Sequence, residues 1–452
     1  MSMWSTLRRG EPGYDEARRG LSASAVVPDL HPRTVVRVGA GREGGQGAEG
    51  VRAALAAAER EGLRVTVRSG GHSASFAALR NDVVAIDVRA LDGVEVDPVA
   101  GTAVVGPGTT SLAAARALHG TGWSFPVGHR ATVGLGGFLL AGGNGWNHGV
   151  WGSACESVLG ADVVLADGRL VHLDAADPAA YAALRGAGPG FPGVVTAFHL
   201  RLWPEQRVQR RILSFPAARA AEVGAWADHL AAVIDPAVEL TLFLAPPDSP
   251  MHPDLDEPAL TVAATAYADD PAATEALLAP VDETLPPGAV VVLAGPSDIP
   301  TMVETETAPP GLGVVAQQAW TTEGYAAVLP DLAATMTRCP SPWSSILVSS
   351  SSYRRAAPPA TDTAYLPLGT LTVAAYSNWR PGDRDEDNRR WAGDAVEAIG
   401  SRWSGHYVGE LDLLRRPDRL AACFPGGGLA RIDEVRRRLD PAGRFADFPG
   451  RC

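Results

Sequence analysis

The sequence predicts an α+β protein. Three observations predict it. β-Branched runs of strand length alternate with helical patterns through residues 1–204. Two glycine-dense stretches, at 68–73 and 134–145, interrupt that first half. Beyond Pro204 the texture shifts to strands spaced by longer helices, without glycine-rich loops. A chain of 452 residues also exceeds one ordinary core, so at least two domains or one composite unit is expected.

The elements follow in order. Residues 14–19 read as a short helix and 34–38 as a strand. Val51, Ala54, Leu55 and Ala58 recur at helical spacing, which makes 49–61 an amphipathic helix. Residues 64–67 form the next strand, so the chain opens as a βαβ unit whose outgoing loop carries His72. Short strands are expected at 83–87, 94–96 and 102–105, then a helix over 111–119 with Ser111 as its N-cap. Asp167-Gly168 between two apolar runs signals a two-residue hairpin. A short helix at 181–184 and a strand at 194–202 close this half. Further on, strands are expected at 208–215, 238–245, 259–267, 289–293, 346–350 and 369–376. Helices are expected at 217–234, 271–281, 384–399 and 430–439.

Bulk chemistry removes some classes of function. A formal net charge of −12 argues against a nucleic-acid partner. No segment approaches the roughly 20 apolar residues of a membrane span. Residues 1–11 lack the apolar run of a secretory signal. Cys155, Cys339, Cys423 and Cys452 are spaced like neither a zinc site nor a disulfide framework, so no metal and a reducing, cytoplasmic setting are expected.

The chemistry concentrates in the glycine-dense stretches. Arg68-Ser69-Gly70-Gly71-His72-Ser73 offers successive backbone amides without side chains, an anion-binding nest. Taken alone, the same residues describe a tight surface turn with a solvated histidine. Thr132-Val133-Gly134-Leu135-Gly136-Gly137, followed by Gly142-Gly143, adds a second place where phosphates or a planar ring can lie against backbone. It is not the dinucleotide fingerprint, which opens a helix directly after a first strand.

Taken together, these stretches resemble the flavin oxidases related to vanillyl-alcohol oxidase and p-cresol methylhydroxylase, in their berberine-bridge-enzyme-like branch. Residues 14–19, Arg68 to Ser73, Gly134 to Gly137, Ala166 to Arg169, Leu184 to Gly186, Gly193 to Thr196 and Asp440-Pro441 carry the likeness. The resemblance implies a bipartite FAD-binding domain (1–204 and 405–452, two α+β subdomains). Inserted into it would be a substrate domain (205–404) built on an antiparallel sheet flanked by helices. It further implies bound FAD, a small-molecule substrate and O2 as partners, and a covalent bond from His72 to the flavin.

The same resemblance assigns cofactor contacts to the 68–73 loop, Gly108, Gly128, Arg130, Thr132, Val133, Gly134, Gly136, Gly137, Gly142, Gly143, Val194 and Val195. Arg130 stands where a doubly linked branch has its second attachment, a cysteine, so a single link is expected. Phe138 stands where many relatives have histidine. A small residue at Gly128 matches oxygen-reactive relatives. The catalytic base falls on Glu410, in the slot that is tyrosine in many relatives; a salt-bridged glutamate is the alternative. Tyr407 and Tyr376 are the other candidates, and Tyr376 also fits a core strand. The implied activity is hydride removal from a C–H beside a hydroxyl or amine. A flavin dehydrogenase and a non-catalytic binding protein are the alternatives.

Overall fold

The computed structural model describes residues 4–39, 46–250, 257–305, 309–350 and 362–451. Met1 to Met3 and Cys452 lie outside the described residues.

The first sheet holds β1 (Trp4–Arg8), β2 (Thr34–Val38), β3 (Arg64–Arg68) and β4 (Val83–Asp87), in the order β1-β2-β4-β3. β2 and β3 each run parallel to β4. They are therefore not neighbours, as a simple βαβ unit would make them; β4 enters between them. The reason is written in β4, Val-Val-Ala-Ile-Asp, which is buried along its whole length. Val84 and Ile86 pack on helix Gln46–Glu61, while Ala85 packs on Tyr14, Phe76 and Leu79. A strand covered on both faces belongs in the centre of a sheet.

The second sheet takes β5 (Val94–Asp97) and β6 (Thr102–Val105). The two-residue β7 (Trp123–Ser124) follows them outside the sheet, which then continues with β8 (Val158–Val164), β9 (Leu170–Asp174) and β10 (Val194–Arg201). Its order is β5-β6-β10-β8-β9, and β7 pairs with β11 (Trp203–Pro204). Helix Ser111–Leu118 is capped by Thr110, whose hydroxyl accepts from the Ala113 N–H at 3.3 Å. Ser111, the expected cap, instead donates to the Val133 carbonyl. The 134–145 stretch is not all loop, since Leu135–Ala141 is helical.

The third sheet has eight strands. They are β12 (Arg207–Pro216), β13 (Val238–Ala245), β14 (Ala259–Ala268), β15 (Val290–Ser297), β16 (Gly313–Thr321), β17 (Ser345–Ser350), β18 (Leu371–Trp379) and β19 (Trp403–Gly405). Their order is β15-β12-β14-β13-β17-β18-β16-β19, and every pairing is antiparallel. Alternation along these strands decides the architecture. Leu240, Leu242, Leu244, Val262, Ala264, Val373 and Ala375 point into a core shared with helices Ala220–Val233, Tyr325–Met336 and Asp385–Glu397. Burying each larger aliphatic side chain contributes roughly 1.5–3 kcal/mol. The residues between them, among them Thr241, Phe243, Thr261, Ala263 and Tyr376, face a cavity instead. One face is thus plated with helices and the other roofs the site.

Candidate active site

The cavity has a volume of about 820 Å³. Its floor is the first two subdomains and its roof the third sheet. The loop after β3 supplies Ser69 to Ser73, and the segment from Gly128 to Phe138 supplies the facing wall. The two meet backbone to backbone. A Cβ on Gly70 would sit 2.2 Å from the Gly134 nitrogen, and one on Gly134 would sit 2.4 Å from the Gly70 nitrogen. Gly71 has φ +78°, a conformation that glycine adopts without strain. Glycine is therefore required here by close approach as well as by turn geometry.

His72 lies on this wall, with its Nε2 2.9 Å from the Thr132 hydroxyl. Burial, reinforced by the positive charges of Arg130 and Arg68, pulls its pKa down to about 4. The imidazole is accordingly neutral at physiological pH and keeps a nucleophilic lone pair. Burial also draws Arg68 down to about 10, against the pull of Asp87 3.5 Å away. It stays cationic, and its buried Nε makes no hydrogen bond among the described residues.

Opposite, β18 and the turn after β19 bring the candidate bases together. The Tyr376 hydroxyl donates to Glu410 Oε1 at 2.7 Å. The Arg130 guanidinium lies 5.0 Å from the centre of the Tyr376 ring. Burial raises the Glu410 pKa above its ordinary value, while Tyr376, Arg130 and His129 pull it back in that order. Tyr376 itself is pushed well above the usual phenol range by burial and then by the Glu410 charge. The Tyr407 hydroxyl accepts from the Gly143 N–H at 3.2 Å, and burial holds it protonated. One buried carboxylate and two buried phenols thus meet on this wall, with the Tyr376 hydroxyl already donating its hydrogen bond to Glu410. Glu410 sits in a 3-10 turn, Val408–Glu410, rather than in a returning strand.

Most of the expected cofactor residues line the cavity: Arg68 to Ser73, Gly128, Arg130, Val133, Gly134, Gly136, Gly137 and Val195. Thr132 reaches it through His72. Four expected residues do not line it. Gly108 is packed on the Arg89 backbone, where a Cβ would meet the carbonyl oxygen at 2.2 Å. Gly142 is packed on the Tyr365 ring, and Gly143 on Phe138 and Ala154. Val194 is buried in the core beneath β3 and β4. Gly128 gives a sharper result than expected. The space beside it is bounded by the Phe138 ring and the Ser111 hydroxyl, each 3.2 Å from a Cβ placed there. Cys155 is fully buried, and burial raises its thiol pKa far above normal.

Sequence reasoning missed a charged cluster in the roof. The buried Glu239 carboxylate lies 3.3 Å from His148 Nδ1 and 3.4 Å from His129 Nε2. It also accepts from the Asn147 N–H and the Tyr267 hydroxyl. Its ionised form is held by His148 and His129 against the cost of burial. Trp146 packs against His129 with ring centres 4.2 Å apart and the planes tilted by 55°. In the run Trp146-Asn147-His148 all three residues are buried, and Trp146 also lines the cavity. Asp447, near the C-terminus, also lines the cavity, because Val65 bridges to Phe445.

Residues 46–174 match the family model for an FAD-binding domain. Curated relatives agree with this flavin reading. The FAD-linked oxidoreductase janO of Penicillium janthinellum is 32% identical over 283 residues, covering 62% of this chain and 60% of that protein. (R)-6-Hydroxynicotine oxidase of Paenarthrobacter nicotinovorans is 30% identical over 186 residues, 41% of this chain and 40% of the relative. The chain thus spans well under two thirds of the length of these relatives. Solved structures extend the likeness to the whole fold. The 6-hydroxy-D-nicotine oxidase of Arthrobacter nicotinovorans superimposes with TM-score 0.83 at 19% identity, covering 99% of this chain and 97% of the other. A berberine-bridge-enzyme-like protein of Physcomitrella patens gives 0.81 at 17%, with the same coverage. The whole chain therefore shares the mixed α+β fold of these two solved structures.

The cavity fits FAD on three counts. Its volume suits a large ligand. A Cβ at Gly137 would meet nothing within 4 Å among the described residues, so the wall is left open there. Arg68 presents a buried cation with an unused N–H beside the amide-rich loop, which suits an anionic ligand.

Proposed function

We propose that the protein is an FAD-dependent oxidase that removes a hydride from a carbon bearing a hydroxyl or amine in a small organic substrate. The observation that carries this reading is the Tyr376–Glu410 pair, set in the cavity that the glycine loops also line. When bound, FAD would supply the two-electron acceptor, with O2 taking the electrons onward as H2O2. Glu410 takes the hydroxyl or amine proton, and its raised pKa makes it a stronger base than a solvated carboxylate. Tyr376 fixes the carboxylate by donating to one oxygen and leaves the other for substrate. Arg130 adds to the pull of the Tyr376 hydrogen bond toward the ionised form of Glu410, against its burial.

His72 is the single covalent tether in this proposal. Its neutral ring supports that role, as does Arg130 in place of a second attachment residue. In the proposed division, residues 1–204 and 405–452 hold the cofactor and 205–404 face the substrate. The third sheet, which starts at Arg207 and ends at Gly405, supports it. Among the described residues Cys155, Cys339 and Cys423 are free thiols, which fit a cytoplasmic setting. Among the described residues no helix is long and apolar enough to cross a membrane.

The test is reoxidation. The photoreduced protein mixed with air should regain its oxidised spectrum within seconds and release one H2O2 per flavin. Slow reoxidation in air with fast transfer to a dye acceptor would make it a dehydrogenase. A colourless protein that takes up no FAD would make it a binding protein.

A further inference from the structure

We propose that the outer face of the β8-β9-β10 sheet binds a borderline first-row divalent cation of the zinc class. The donors are His172, His199 and Asp162, with Asp174 beside the other ring nitrogen of His172 as an outer partner. β8 is flanked by β9 and β10. Asp162 on β8 stands directly across from His172 on β9. Two residues earlier on β8, Gly160 stands across from Asp174 on one side and His199 on the other. Side chains two apart on a strand share a face, so the three donors and Asp174 surround the glycine. Their inward neighbours, Ala161, Val163, Leu173, Phe198 and Leu200, are buried in the core, which places the donors on the outer face.

Gly160 leaves the gap in which they converge. A Cβ there would sit 2.8 Å from His172 Nε2. His172 Nδ1 lies 2.8 Å from Asp162 Oδ1, and His199 Nε2 lies 3.3 Å from Asp162 Oδ2. One ligand atom from each of the three lies within 4.8 Å of the others. Asp174 Oδ2 is 4.0 Å from His172 Nε2. Donors bonded tetrahedrally to zinc stand about 3.4 Å apart, so small rotamer changes would close the shell. Two imidazoles with carboxylate favour Zn2+, Ni2+ and Cu2+ over Mg2+ or Ca2+. The histidine side chains are 46% and 34% exposed, so an ion can enter from solvent. A bound ion would pin three strands, the last of which begins next to Gly193 and Val195 in the cavity wall.

The experiment uses untagged holoprotein stripped with chelator and titrated with ZnCl2 by calorimetry. One saturable site is expected. His172→Ala and His199→Ala should each weaken it at least about tenfold. His199→Gln repeats the test with a bulkier, uncharged side chain. Flavin absorbance and metal-free melting temperature verify that each variant is folded. The Cu2+-loaded protein should show coupling to two imidazole nitrogens in its electron paramagnetic resonance spectrum, and to one in either variant. Absence of saturable binding, or wild-type affinity in folded His172→Ala or His199→Ala, overturns the proposal.

Discussion

Glu410 is a carboxylate pulled two ways. Burial favours its protonated form, and Tyr376, Arg130 and His129 favour the charged one. Burial wins, so the residue should titrate above the ordinary 4.5. A base works deprotonated, so the rate of flavin reduction should rise with pH through that raised pKa and level off above it. In Arg130→Met a favourable positive charge is lost, and the midpoint should move to higher pH; stopped-flow reduction across pH measures both. Glu410→Gln should keep its flavin yet reduce it about 10²–10⁴-fold more slowly. An unchanged rate there removes Glu410 from the chemistry. At this scale the sequence was readable only where a motif fixed the position. His72 and Glu410 each occupy a slot in an ordered pattern. Glu239, His129 and Tyr267 did not, because strand register and a loop from another subdomain bring them together across the fold.

The glycine loops are the element on which the site depends. Their backbones approach so closely at Gly70 and Gly134 that no Cβ fits at either. Gly70→Ala should therefore cost on the order of 3 kcal/mol and release the cofactor, seen as a lower melting temperature and a bleached protein. Gly393→Ala, in helix Asp385–Glu397, meets nothing within 4 Å among the described residues and should melt no lower than the wild type. Equal melting temperatures for the two variants would contradict the crossing. Strands with β-branched runs were legible in order and extent, as at Thr34–Val38 and Val83–Asp87. Helix Leu135–Ala141 was not, because Gly136 and Gly137 in its first turn read as loop. Helix Tyr325–Met336 was hidden likewise by Pro330 in its interior, a residue that ordinarily ends a helix.

Across the whole molecule, one asymmetry turns a fold into a site. The third sheet is plated with helices on one face only, and its bare face closes over the glycine loops. The alternating pattern that encodes this is plain in β13, where Glu239, Thr241 and Phe243 interleave with Leu240, Leu242 and Leu244. The pattern shows a two-faced strand; what the polar face meets is settled only when the two halves of the chain pack. We propose that this cavity holds FAD tethered through His72. Acid precipitation of the purified protein, followed by a visible spectrum of pellet and supernatant, is the test. Yellow colour is expected in the wild-type pellet and none in the pellet of His72→Ala. Colour released wholly into the wild-type supernatant would contradict the tether, and a colourless protein would contradict the flavin itself.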